Sequence, residues 1–248
     1  MVFDVWRGTL IDKGINKMKT SSQPIDLYEL ISWKRVDELE AALKAGADPN
    51  QLDDYGQTPI FRVVYNSSGQ QVRMLALLLE HGAEVNHRHP QVGETAIHNA
   101  KSPEIADILL AHGADVTIKT HAGCTPLHKA STAQMAQYFL NKGIDVNARD
   151  DQGATALLDA AFENYELVEC LLKNGAAADV RNNKGQTPLM RLADDFFIDD
   201  DEGLQEIAEL LINAGTPVDA VDHEGRTAED LAVKSRLPKL AAFLAGIL

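Results

Sequence analysis

Gly123-Cys124-Thr125-Pro126-Leu127-His128-Lys129-Ala130 is the stretch on which the fold turns. A proline at the first helical position gives up no hydrogen bond that a helix needs, and a threonine just before it caps the orphan amides. Downstream, Met135, Ala136, Phe139 and Leu140 fall on one face at helical spacing. Gly143-Ile144-Asp145-Val146-Asn147 follows, and its glycine suits the left-handed residue that ends a helix. The segment therefore reads as an inner helix over about 125–131, an outer helix over about 133–142, and an extended, hairpin-like connector of about ten residues. Neither helix buries its apolar stripe alone, so neighbouring units must stack.

Neighbouring units exist. The opening phrase recurs as Gly56-Gln57-Thr58-Pro59-Ile60, Gly93-Glu94-Thr95-Ala96-Ile97, Gly153-Ala154-Thr155-Ala156-Leu157 and Gly185-Gln186-Thr187-Pro188-Leu189, and more weakly from Gly225. The glycine-to-glycine spacings are 37, 30, 30, 32 and 40. The closing phrase recurs in register at Gly46, Gly82, Gly113, Gly175 and Gly215. Six copies of two phrases at a period near 33 resemble the ankyrin repeat family, whose signature includes Thr-Pro-Leu-His-x-Ala. The resemblance covers about 25–248. It implies an all-α solenoid of about six to seven stacked helix-turn-helix units with hairpin-like connectors and terminal caps. His98 and His128 hold the signature's histidine position, where the family ties the inner helix to the hairpin backbone. Phe61, Leu158 and Met190 replace it elsewhere, so three repeats lack that tie.

The expected organisation is an extension over 1–24, helical or partly disordered, then an ankyrin domain over 25–248. Within it lie a cap (25–55), repeats 56–92, 93–122, 123–152, 153–184 and 185–224, and a second cap (225–248). Leu27, Leu30 and Ile31 line the first cap's inner helix, with Val36, Leu39 and Leu43 on the outer one and Trp33 near the turn. Leu237, Leu240, Phe243 and Leu244 close the other end. Trp6 and Leu10 of the extension are expected to cover the first repeat. Two repeats are three residues short and turn abruptly at Lys101-Ser102-Pro103 and Ser131-Thr132-Ala133, whereas Asn66 to Gln70 adds a polar loop. The repeat from Gly185 is longest and carries 194–203, in which six carboxylates flank Phe196, Phe197 and Ile198.

Composition narrows the function. The 248 residues carry 23 Lys plus Arg against 37 Asp plus Glu, a net charge of −14. Such a body repels phosphates, so nucleic acid and anionic membranes are not expected partners. Apolar runs such as 75–79 are too short to span a bilayer, and the start lacks a signal-peptide pattern. A cytoplasmic monomer is the expectation. Two cysteines are too few for a disulfide framework. Cys124 reads as an exposed, idle thiol and Cys170 as core. The acidic run lacks the alternation and turn glycine of a calcium loop. The histidines at 81, 87, 89, 112 and 121 gain no third ligand, and 81, 112 and 121 read as repeated helix-end residues. No phosphate loop or nucleophile elbow is present. No cofactor, no metal and no enzymatic activity are expected.

The resemblance implies protein binding on the concave face made by hairpin tips and inner helices. The corresponding tip residues are Asp54, Tyr55 and Gln57, then Gln91 and Glu94, His121, Asp151 and Gln152, Asn183 and Lys184, and His223 and Glu224. From the inner helices come Arg62, Tyr65, Lys129, Phe162 and Asp195, and from the acidic insertion Phe196 and Phe197. Tyr55, Tyr65 and Phe162 are the expected anchors, since aromatics dominate interface energetics. Two readings follow: an adaptor or scaffold, or a dedicated inhibitor such as an immunity protein that neutralises a basic toxin or nuclease. The second draws on small size, strong acidity and the acidic-aromatic insertion.

Overall fold

The computed structural model describes residues 26–65, 69–161, 164–194 and 203–247. Helix initiation follows the capping residues. Side chains of Asp26, Ser102, Thr132, Asn164, Thr187 and Thr227 each accept an amide from the first turn of the helix that follows. Termination follows glycine. At Gly143 (φ 87°) the chain turns left-handed, and Ile144 N donates back to Phe139 O. The same reversal recurs at Gly46, Gly82, Gly113, Gly175 and Gly215, conformations that cost any residue with a Cβ about 1–2 kcal/mol.

Among the described residues seven helix pairs result. They are α1 (Leu27–Ser32) with α2 (Val36–Lys44), α3 (Pro59–Tyr65) with α4 (Gln71–Glu80), η1 (Ala96–Asn99) with α5 (Pro103–Ala111), and η2 (Pro126–Lys129) with α6 (Ala133–Asn141). Then come α7 (Ala156–Ala160) with α8 (Tyr165–Lys173), α9 (Pro188–Ala193) with α10 (Leu204–Asn213), and α11 (Ala228–Lys234) with α12 (Pro238–Ala245). First members pack in an inner row, α1 on α3, α3 on η1, and so on to α9 on α11. Second members pack in an outer row from α2 to α12. Among the described residues every regular element is helical and no strand forms. No described helix is long and apolar enough to cross a membrane.

One continuous apolar core runs from Leu27 to Leu244, with Phe61, Ile97, Phe139 and Leu189 fully buried along it. Burial of each such side chain contributes about 1.5–3 kcal/mol, available only through the next pair in the stack. In the two end pairs Val36, Leu39, Leu43, Leu237, Leu240 and Leu244 are buried. Phe243 is only partly covered, and Trp33, which C-caps α1, is 73% exposed.

One expectation needs correction. The inner helix over 125–131 is only the four-residue η2, a 3-10 turn, and η1 is its twin. Both lie in the repeats three residues short of the period, where a 3-10 turn advances the chain about 2.0 Å per residue rather than 1.5 Å. The connectors are hairpin-like, as expected, and are closed by tight turns. The extension over 1–24, the loop at 66–68, and Phe162, Asp195, Phe196 and Phe197 lie outside the described residues.

Asparagines at the end of the closing phrase rivet repeat to repeat. Asn147 Nδ2 donates to Gly175 O (3.1 Å) while its Oδ1 accepts Ala177 N (2.9 Å). Asn50 and Asn86 do the same to the following turn. Thr117 stands at that position in the third unit and bonds instead within its own turn, to Asp115.

Candidate functional site

Between successive helix pairs the chain projects a finger. In the finger 150–154, Asp150 N donates to Ala154 O and Gly153 N to Asp150 O, while Asp150 Oδ1 accepts the amides of Gln152 and Ala154. Asp53, Asn182 and Asp222 build their fingers in the same way. Thr120 takes that place in the third finger, and His89 in the second, where one extra residue lengthens the turn and His89 Nδ1 accepts Gln91 N.

The fingers are stitched to one another. His121 N donates to Val92 O, Asp151 N to Ala122 O, Asn183 N to Gln152 O and His223 N to Lys184 O, all at 2.8–3.0 Å. Close approach requires glycine: a Cβ on Gly93 (φ 72°) falls 2.7 Å from His121 N and 2.4 Å from its ring. Pro90 has no amide to donate, and its ring instead lies where a Cβ on Gly56 would sit. Thus His121, Asp151, Asn183 and His223, expected as tip residues, are exposed and also fasten the row. His121 is therefore a finger residue, unlike His81 and His112, which end helices and bond the carbonyl four residues back.

Three of the expected residues come together. Glu94 Oε1 pairs with Lys129 Nζ at 3.0 Å, and Glu94 Oε2 accepts from Asn99 Nδ2 (3.1 Å) and Tyr65 Oη (3.3 Å). Glu94 is buried, which corrects its expected place at an open tip. The residue after each finger glycine returns toward the helices, and Cys124, Ala154 and Gln186 are buried there too. Burial acts to raise Glu94, but the bonds from Asn99 and Lys129 outweigh it and hold the carboxyl below the usual range. Burial acts to lower Lys129, and Glu94 more than offsets it. Tyr65 is pushed up by burial and by the Glu94 charge, yet stays 47% exposed.

The other expected residues are dispersed along the same row. Asp54 and Tyr55 are exposed on the first finger, with Tyr55 at 55%. Gln57 meets His89 (3.2 Å), and the Arg62 guanidinium donates to Ser32 Oγ. Gln91, Gln152 and Lys184 are exposed. Glu224 pairs with Arg226, which also grips Asp222. Neither Asn99 nor a column of four cations on the fingers is singled out by the sequence pattern.

Arg88, Lys119, Arg149 and Arg181 each immediately precede the residue that opens a finger turn. Each reaches the main chain of the next finger: Arg88 to Lys119 O, Lys119 to Arg149 O, Arg149 to Arg181 O and Arg181 to Val221 O, at 2.8–3.3 Å. Three of these bonds end on the next cation of the column, so the four lie in line. All four are exposed, and none has a carboxylate within 4.0 Å among the described residues.

No nucleophile is assembled at the remaining candidate. Cys124 is buried rather than exposed, because the following finger closes over it, and burial raises its thiol. Its sulfur lies 3.9 Å from Asp150 Oδ2. His128 Nδ1 accepts from Thr125 N (3.2 Å), so the proton sits on Nε2, which faces Ala154 O at 3.3 Å. That is the tie implied for this histidine. Where Phe61 replaces it, the ring packs edge-on to His87 and His89. Cys170 is half-buried against the outer row. No group of three or more metal-ligating side chains occurs among the described residues.

A family model for ankyrin repeats in three copies matches residues 30–120, 96–182 and 157–247. A BRCA1-associated RING domain protein 1 of Caenorhabditis elegans is 35% identical over 100 residues, covering 39% of this chain and 14% of that protein. Cyclin-dependent kinase inhibitor 2A of Homo sapiens is 38% identical over 76 residues, 31% of this chain and 46% of the relative. Cyclin-dependent kinase 4 inhibitor B of Bos taurus is 33% identical over 86 residues, 35% of this chain and 63% of the relative. The chain thus spans less than two thirds of each of these relatives.

Proposed function

This chain belongs to the ankyrin repeat family, a non-catalytic protein-interaction fold, and on that premise we propose that it is an adaptor or scaffold that engages one protein partner along its fingers and inner row. The observation that carries the reading is the stitched row itself. Main-chain bonds between fingers hold the tips in fixed order, so the surface is organised before a partner arrives, which lowers the ordering cost of binding. Tyr55 and Tyr65 are the anchors: each is about half exposed, and Tyr65 is steered by Glu94. We assign no catalytic step, and place the chain in the cytoplasm as a monomer.

Partner capture followed by alanine replacement tests this. Tyr55→Ala and Tyr65→Ala are each expected to weaken the captured partner by about 2 kcal/mol, the threshold of a hot spot. Unchanged affinity in both variants removes the assignment.

A second reading is a stoichiometric inhibitor, favoured by the likeness to proteins named as cyclin-dependent kinase inhibitors. The form first expected, neutralisation of a basic toxin or nuclease, draws on the net charge of −14. Inhibition predicts loss of the partner's activity that saturates at one equivalent. Full partner activity in the saturated complex supports the adaptor.

A further inference from the structure

We propose that Arg88, Lys119, Arg149 and Arg181 form a docking strip for an extended acidic segment of a protein partner. The inference rests on the reading that the fingers bind protein and names the chemistry of what they take. Four cations in line are conspicuous on a chain of net charge −14, whose ion pairs occupy Arg35, Lys44, Arg73, Lys142 and Lys173 on the outer helices and their flanks, Lys129 in the inner row and Arg226 on the last finger. Arginine carries five N–H donors, and each of these three directs only one nitrogen at the next finger, which fixes the side chain while leaving donors for a ligand.

Spacing selects the ligand. Packed helices lie about 8–10 Å apart, so successive members of the column are about that far apart. An extended chain advances about 3.3 Å per residue. Every third residue of an extended segment laid along the strip therefore meets one cation. The strip ends where the same position becomes apolar, at Leu52 (59% exposed) before Arg88 and Val221 (47% exposed) after Arg181. Those ends favour a short segment whose acidic stretch is bounded by apolar residues. The acidic remainder of the molecule repels such a segment, so charge confines it to the strip.

The test is a titration, by fluorescence anisotropy at low salt, of the full chain with a labelled peptide repeating Glu-Ser-Gly, one repeat per cation. Saturable binding that weakens with salt is expected, at least tenfold tighter than for the Gln-Ser-Gly counterpart. An isomer with its glutamates contiguous should bind severalfold more weakly. Each exposed ion pair is worth up to about fivefold, so the R149Q/R181Q variant should lose about fivefold or more. R149K/R181K should keep most of the affinity. Circular dichroism melting checks that the variants fold, and Lys119→Gln, which gives up the longest of the four bonds, serves if the double variant does not.

The proposal is overturned by absence of saturable binding, by equal binding of the glutamine peptide, or by a neutralised strip that binds as the parent does. Tighter binding of an oligothymidylate of equal charge, or of the lysine counterpart, also overturns it. A captured partner that is lost on Tyr55→Ala but indifferent to R149Q/R181Q ends the strip proposal and leaves the binding-module reading standing. A partner indifferent to both ends the two together.

Discussion

Replacing Gly93 with alanine, beside Gly113→Ala as its control, isolates the contact that orders the fingers. Both glycines have positive φ, 72° and 87°, so both substitutions carry a left-handed cost of about 1–2 kcal/mol. Both also remove similar freedom from the unfolded chain, a term that cancels between them. They differ in space. Nothing lies within 4 Å of a Cβ on Gly113, whereas a Cβ on Gly93 meets main-chain nitrogen of His121 at 2.7 Å. Because that neighbour is backbone, no rotamer change relieves the clash, and the fingers must part. Parting forfeits the His121 N to Val92 O bond, worth about 0.5–1.5 kcal/mol, and strains the local packing by a further 1 kcal/mol or so. Gly93→Ala is therefore expected to cost about 2 kcal/mol more than Gly113→Ala. With a urea slope of about 2 kcal/mol/M, the unfolding midpoints should differ by about 1 M. Coincident midpoints would refute the claim that finger contact, rather than backbone conformation alone, is what demands this glycine.

Further expectations concern other joints. Thr117→Asn should restore the missing rivet, with partners at Gly143 O and Asp145 N by analogy with Asn86 and Asn147, and raise stability by about 0.5–1.5 kcal/mol in thermal melts; an unchanged or lower Tm counts against it. Lys129→Met leaves the Glu94 carboxylate without its cation. Because the lysine is partly exposed, the loss at neutral pH should be about 1–2 kcal/mol, largely relieved by adding Glu94→Gln. An additive double variant would show that the two groups are not coupled.

The pH dependence has a definite sign. Burial lowers His98 and His128, so as pH drops below about 6.5 the unfolded chain takes up protons before the folded one. Their contribution is complete above that value and declines as pH falls through the lower folded values. Glu94, depressed likewise, adds a loss in the carboxylate range. Melting temperature should fall between about pH 7 and pH 5, and His98→Gln with His128→Gln should flatten that slope. A slope unchanged in the double variant would assign the effect elsewhere.

Much of the fold was legible because its determinants are local. Proline after threonine starts Pro126–Lys129, and a left-handed glycine ends each outer helix from α2 to α10, without reference to any neighbour. The outer helix at Ala133–Asn141 lies almost where its apolar spacing places it. The site was less legible because its determinants cross between repeats. Glu94 reads as a tip residue until the Asn99 amide and the Lys129 ammonium of the next repeat are brought to it. Cys124 reads as exposed until the following finger covers it. The cation column was readable in principle, by aligning the residue before each finger turn. Its meaning nevertheless depends on how far an arginine reaches, from Arg149 to Arg181 O, which periodicity does not encode.

Hydrogen–deuterium exchange of the full chain, free and with its captured partner bound, tests the central claim most directly. A platform that recognises through its fingers predicts added protection at 88–94, 119–124, 149–154 and 181–186 and along the inner row, with the outer helices from α4 to α10 unchanged. Protection concentrated on the outer helices, with the fingers exchanging as in the free protein, would contradict it.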